Sequence, residues 1–451
     1  MSRTTFIILG VVGGILLLVL MIWLLLGSFN SGPDSQPVTL QFWGVYDEPS
    51  YYQAAIKGYQ QLHPNVRIIY RQLGYADYEN QLLSALANAT GPDIWLMHNT
   101  WLPKHGDKIY PLPAGNPPGE KQPLFTLKDF RDQFVDEVLT SLTANGAIYA
   151  LPLYIDTLAL YYNKELFNGA GLAVPPATWQ EFNEAVRKLT QLDNRNGIIQ
   201  AGAAIGTASN VNRSTDILTL LMLQSGARMT DREQRNATFA SPVNDLRPGQ
   251  TALQYYTDFA NPSKLVYTWN NQQHYSVDAF TEGRAAMMIN YSHQAFLLRQ
   301  KAPRFNFGVA PLPQIINPEL DKTAVPVNYA THSAPTVWKQ AKAPIEAWRF
   351  VTYLSSYAGA NQYLIASNRP PARRDLIQAQ TAVVDLGVFA KQALSARAWY
   401  QVDSAAIEKI FAAMIDDVNY GRATVADALE SAESKVNTVA LTSPPITVTA
   451  S

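Results

Sequence analysis

The chain has 451 residues, too many for one compact core, so two globular units are expected. Its 35 Lys and Arg against 36 Asp and Glu exclude the basic stripe of a nucleic-acid binder and argue against a polyanion held by bulk charge. The absence of cysteine excludes disulfides, thiolate metal sites, cysteine nucleophiles and a lipid-modified cysteine anchor. Phe6 to Leu26 is an apolar run of 21 residues broken only by Gly10, Gly13 and Gly14. As a helix it reaches about 30 Å, the thickness of a bilayer's hydrocarbon core. The run is long for a signal peptide, and Gly27 to Gly32 fit a small-residue cleavage site poorly, which favours an uncleaved anchor. Arg3 precedes the run and no basic residue follows until Lys57, so residues 1–5 are expected in the cytoplasm and the body on the extracytoplasmic side. Residues 27–37, rich in Ser, Gly, Asn and Pro, read as a flexible tether.

After the tether the pattern alternates. Val38 to Trp43 and Val66 to Leu73 read as strands, Ser50 to Leu62 and Tyr75 to Ala89 as helices, and Ile94 to Met97 as a third strand. A βαβαβ order implies parallel strands with right-handed crossovers, and ligands of such sheets bind beyond the carboxyl ends of the strands. Those ends are Gly44 to Glu48, Gly74 to Tyr78 and His98 to Trp101. Trp43 and Trp101 sit there, where they either face ligand or cap the core. Further on, helices are expected at Trp179 to Leu192, Ser214 to Gln224, Pro248 to Phe259, Ile345 to Ser355 and Ser404 to Val418. Strands are expected at Leu160 to Asn163, Ala286 to Asn290, Val309 to Leu312 and Ala334 to Val337, and residues 442–451 as an unstructured tail.

Six strings carry a resemblance: Tyr149 to Leu172, Pro176 to Phe182, Phe280 to Asn290, Phe307 to Pro313, Glu346 to Ser356 and Arg397 to Asn437. In this order the body resembles bacterial extracellular solute-binding proteins of family 1, the maltose-binding-protein-like sugar-binding components of ABC importers. The resemblance implies an α/β, two-lobed periplasmic-binding-protein-like fold joined by a three-crossing hinge, here preceded by one N-terminal transmembrane helix at residues 6–26. It implies crossings near 152–156, 290–292 and 330–335, with lobe 1 at 38–153 and 291–333 and lobe 2 at 154–290 and 334–441. It further implies a non-enzymatic, monomeric protein that closes on a carbohydrate, most plainly an oligosaccharide, and docks on permease subunits. Asp156 aligns with the family's acidic acceptor of sugar hydroxyls. Tyr154, Asn290, Tyr291, Asn328, Tyr329 and His332 surround the same crossings. Trp43, Asp47, Glu48, Asn99, Thr100 and Trp101 come from the first lobe, and Trp399 and Tyr400 from the last helical region. One departure is Tyr291-Ser292-His293 where the family often has a Trp.

Aromatic residues reach 11%, with 23 Tyr and 9 Trp, a composition suited to stacking on neutral polar ligands. No GxSxG elbow, HExxH or phosphate-binding GxxxxGK[ST] is present, and no cofactor or metal is expected. Asp193 to Gly197 resembles a calcium loop, but Arg195 stands where an oxygen ligand is needed, so a polar turn is expected. A carbohydrate-active hydrolase and a membrane-tethered sugar sensor are the competing readings.

Overall fold

The computed structural model describes residues 36–316 and 325–442. The expected cytoplasmic segment, the anchor at 6–26, nearly all of the tether and residues 443–451 lie outside them. Among the described residues no helix is long and apolar enough to cross a membrane.

The chain opens with β1 (Val38–Val45), α1 (Pro49–Leu62), β2 (Val66–Leu73), α2 (Tyr75–Ala87) and β3 (Ile94–His98). β1 pairs in parallel with β2 along its whole length, Val38 opposite Val66 and Val45 opposite Leu73, and in parallel with β3 on its other side. Next come β4 (Asp156–Thr157), β5 (Ala159–Asn163), α3 (Trp179–Leu189), α4 (Ser214–Gln224), β6 (Met287–Asn290), α5 (Ser292–Lys301) and β7 (Phe307–Ala310). β5 is the middle strand of a second sheet, antiparallel to both β6 and β7. Then follow β8 (Asn328–Thr331), β9 (Ser333–Val337), α6 (Pro344–Leu354), β10 (Ala396–Arg397) and α7 (Ser404–Asn419). β9 returns to the first sheet, antiparallel to β3, and β8 lies between β4 and β10 in a small third sheet.

Local chemistry explains the boundaries. Thr178 and Glu181 form a reciprocal capping box at the start of α3, satisfying donors that the helix leaves open. Trp179, Phe182, Ala185, Val186 and Leu189 recur on one face of α3 and are buried. α3 ends at Leu189 rather than Leu192, because Thr190 turns away and bonds Val186 O through its hydroxyl (2.7 Å), while Gln191–Leu192 pairs with Ile198–Gln200. Gly283 occupies the left-handed region (φ 73°), the turn its position after Phe280 calls for.

Two hydrophobic cores define the lobes, and they redraw the expected boundaries. Ile155 belongs to the first core and Leu158 to the second, so the first crossing stands where expected. The second core then continues through Tyr291, Ala295, Leu298, Phe307 and Leu312. Asn290 to Ser292 is therefore no crossing: α5 and β7 pack back onto β5, placing 291–312 in lobe 2 instead of lobe 1. The chain crosses back between Tyr329 and Ala330. Val337, Trp348, Phe350 and Leu376 fill the first core, so this stretch belongs to lobe 1 rather than lobe 2, held there by the pairing of β9 with β3. The last crossing runs from Ala396 to Trp399 through β10. All three crossings thus meet in the β10-β8-β4 sheet.

Phe280 is fully buried, with edge contacts to Tyr161, Phe305 and Phe307. Phe280→Ala is expected to lower stability by about 3–5 kcal/mol, read from the midpoint of chemical denaturation.

Candidate functional site

Between the lobes lies a cleft of about 670 Å³, within the usual range of ligand pockets. Lobe 1 contributes Asn99, Thr100, Glu137 and Ser141, lobe 2 contributes Arg228 and Met229, and the last crossing contributes Arg397, Trp399 and Tyr400. Four expected contacts, Asn99, Thr100, Trp399 and Tyr400, therefore line one cavity. Asn99 and Thr100 follow β3 directly, at the carboxyl end of a parallel strand. Trp399 stacks on Phe411 (6.1 Å between centroids, 19° between planes), and its buried indole N–H has no partner in the protein. Phe411 thus holds the Trp399 ring rigid at the edge of the cleft.

The crossing residues are built differently from expectation. Asp156 is only 2% exposed, and its two oxygens accept the N–H (2.9 Å) and hydroxyl (2.8 Å) of Ser292 at the start of α5. It ties β4 to α5 rather than presenting a carboxylate to the cleft. Asn290 donates to Asn212 Oδ1 (3.0 Å), Tyr291 donates its hydroxyl to Asp216 Oδ2 (2.9 Å), and Asn328 donates to Ser395 Oγ (2.8 Å). Tyr329 accepts from Gln401, and the buried Tyr154 lies under the Arg369 guanidinium, 4.2 Å from its ring centroid. Burial raises the Tyr291 hydroxyl well above its ordinary range, and the nearby Asp216 adds to that effect.

Of the first-lobe candidates, Asp47 is buried and saturated. It accepts from Tyr52 (2.6 Å), Tyr363 (2.8 Å) and Arg369 (2.9 Å). Glu48 is exposed at the N-terminus of α1, near Ser50. Trp43 faces an outer groove with Asp77 and Asn80, under the Arg71 guanidinium at 4.9 Å. Trp101 stacks on Tyr78 (5.9 Å, 14°) against the lobe core, the core-capping role.

His332, Ser141 and Glu137 resemble a catalytic triad by composition only. Ser141 Oγ and Glu137 Oε2 both lie 3.0 Å from the same nitrogen, His332 Nε2, while the buried Nδ1 has no partner. A relay needs nucleophile and orienting carboxylate on opposite ring nitrogens. Among the described residues no group of three or more His, Asp or Glu converges as a metal set.

Other groups of unusual geometry lie outside the lining of the cleft. Tyr46 and Tyr75 stack at 5.0 Å and 26° beyond the ends of β1 and β2. Arg213 precedes α4, with its guanidinium 5.6 Å from the Tyr291 ring and its charge acting on Tyr46 and Tyr75. Both Tyr46 (φ 66°) and Arg213 (φ 63°) adopt the left-handed backbone that side-chain-bearing residues seldom take. Bulky residues in that conformation concentrate at functional sites. The strand-end zones containing Tyr46 and Tyr75 were legible, whereas nothing in the sequence around Arg213 marks it. The lobes are also joined by Lys104, which pairs with Glu79 (2.8 Å) and, across the cleft, with Asp403 (2.9 Å), itself the N-cap of α7.

Two consequences are measurable. Asp156→Ala leaves buried donors of Ser292 unpaired, so it is expected to destabilise the fold by about 1–3 kcal/mol in chemical denaturation. Glu79 is held from 4.5 down to about 2, chiefly by its hydrogen bond with His105, against burial and with help from Lys104. A carboxyl depressed by folding stabilises fully above its unfolded value and loses that contribution as pH falls towards its folded value. Because Glu79 is partly exposed and screened by solvent, stability is expected to drop by on the order of 1 kcal/mol between pH 4.5 and 2, a limb that Glu79→Gln flattens in pH-dependent unfolding.

The geometry has relatives. A model of the family described as bacterial extracellular solute-binding protein matches residues 54–389. The maltotriose-binding protein of Pyrococcus abyssi is 24% identical over 316 residues, 69% of this chain and 60% of that protein. The crystal structure of the cyclic alpha-maltosyl-1,6-maltose binding protein from Arthrobacter globiformis shares the fold with a TM-score of 0.70 at 22% identity, covering 90% of this chain and 99% of the other. The sugar-binding protein MalE from Xanthomonas citri gives a TM-score of 0.70 at 19% identity, covering 90% and 98%. With a match spanning well over half its length, and two lobes joined as the fold requires, this chain belongs to the bacterial extracellular solute-binding protein family.

Proposed function

We propose that this protein is the substrate-binding component of an ABC-type importer and captures a carbohydrate, most plainly an oligosaccharide, in the cleft between its lobes. The observation that carries this reading is the cleft itself. Its walls come from both lobes and from the last crossing, and Trp399, Asn99 and Thr100 all line it. An aromatic face with a few convergent polar groups is the chemistry that saccharide rings engage. The relatives described as maltotriose-binding and maltosyl-maltose-binding support the same ligand class.

A ligand touching both walls stabilises the closed arrangement in proportion to its differential affinity for it. Closure rotates one core against the other about the β10-β8-β4 sheet, and the joined rims then form the surface that permease subunits meet. The protein acts by binding, without turnover, and as a monomer. Its body stands on the extracytoplasmic side, held to the membrane by residues 6–26.

Titration of the full-length protein with a glycan panel, followed by tryptophan fluorescence and calorimetry, is expected to give saturable saccharide binding. Small-angle scattering is expected to show contraction on saturation. Trp399→Ala is expected to weaken binding by roughly tenfold or more, as loss of an aromatic platform does. Absence of heat with every saccharide, together with an invariant scattering curve, refutes the reading; release of hydrolysed product favours a hydrolase.

A further inference from the structure

Two neighbouring acids line the cleft, and the protein treats them differently. Asp136 is exposed and pairs with Arg374 (2.6 Å). Glu137, the next residue, is only 6% exposed. Among the described residues no lysine or arginine nitrogen lies within 4.0 Å of it, and neither of its oxygens accepts a hydrogen bond. Its Oε2 lies 3.0 Å from His332 Nε2, but that nitrogen is bonded to Ser141 Oγ (3.0 Å) and does not serve the carboxylate. Oε2 is shut off from solvent, which leaves Oε1 as the oxygen that keeps contact with the cavity.

Asn99 lines the same cavity. Its Oδ1 accepts from the His332 N–H (3.4 Å) and the Thr331 hydroxyl (3.5 Å), while its Nδ2 donates to no described residue. His332 therefore holds the Asn99 amide through its main chain and abuts Glu137 with its ring. A buried carboxylate without a donor is costly, because nothing in the protein replaces its lost hydration. A ligand that brings hydroxyl donors removes that cost, and hydrogen bonds to an ionised acceptor are the stronger kind. A hydroxyl both donates and accepts, so one edge of a sugar ring can give hydrogens to Glu137 and accept from Asn99. An ammonium would also satisfy the carboxylate, but Arg228 and Arg397 line the same cavity and disfavour a cation.

Resting on the saccharide-capture reading above, we propose that Glu137 and Asn99 form the subsite that anchors a neutral sugar ring, the Glu137 carboxylate accepting a ring hydroxyl's hydrogen and the Asn99 amide donating to a hydroxyl oxygen. It is the acceptor role that the sequence assigned to Asp156, moved to a carboxylate that the fold leaves free.

The test is calorimetry on the full-length protein in a detergent with no sugar headgroup. Maltotriose, mannotriose and the glucosamine trimer are titrated first, then analogues of the tightest neutral trisaccharide that each lack one ring hydroxyl. Glu137→Gln keeps the side chain's shape and removes its charge. It is expected to weaken the neutral trisaccharide about tenfold or more. The denaturation midpoint of the free variant is expected at or above that of the parent protein, because a buried charge without a donor has been removed. At least one deoxy analogue is expected to lose about tenfold against the parent protein and less than about threefold against Glu137→Gln, the mark of a direct contact. Asn99→Ala is expected to weaken the same trisaccharide about threefold or more. Unchanged affinity in either variant, or equal deoxy losses in the parent protein and Glu137→Gln, overturns this proposal and leaves saccharide capture standing. So does a lowered midpoint with uniform loss of every ligand, which marks a structural role, or tighter binding of the glucosamine trimer than of neutral sugars. No binding by any saccharide overturns both readings.

Discussion

The Asp156 carboxylate holds the hinge in register. It lies in β4, the strand by which the chain first leaves lobe 1, where Asp156 also pairs with Thr331 as the chain returns. Its oxygens clamp the start of α5 inside lobe 2. A buried charge is tolerated only when its lone pairs are satisfied, and here the donors come from a segment more than a hundred residues away. The interaction thus fixes where β6 and α5 stand relative to the crossings, and with them Asn290 and Tyr291. Rotation at the hinge can then occur about the β10-β8-β4 sheet while each core stays intact.

A buried ion pair plays the corresponding part in lobe 1. Asp47 gathers two tyrosine hydroxyls and Arg369, and Arg369 covers the Tyr154 ring at the same crossing. This network orders the chain after β1, the turn that places Tyr46 in its left-handed conformation. Asp47 and Asp156 therefore organise the walls, and the cleft itself is lined by aromatic rings, amides, hydroxyls, guanidinium groups and the carboxyls of Asp136 and Glu137. The Lys104–Asp403 contact adds a link between the lobes that closure would favour and opening would break.

The elements themselves were largely legible. Strand alternation at Val66–Leu73 and the apolar run of Ser214–Gln224 depend on neighbours within a few residues, and both elements begin and end where expected. Assignment of segments to lobes was not legible in the same way. Residues 291–312 could continue from a crossing or fold back, and only the pairing of Phe307–Ala310 with β5 decides for folding back.

The sequence by itself determined the α/β character, the parallel β1-β2-β3 unit, the strand ends that border the cleft and the family resemblance, because each rests on short-range periodicity or on residue order. Only the tertiary structure decided the lobe boundaries and the burial of Asp47 and Asp156. Whether a carboxylate or guanidinium is available to a ligand depends on which distant donor or acceptor reaches it first, and that is fixed by packing between segments far apart in the chain.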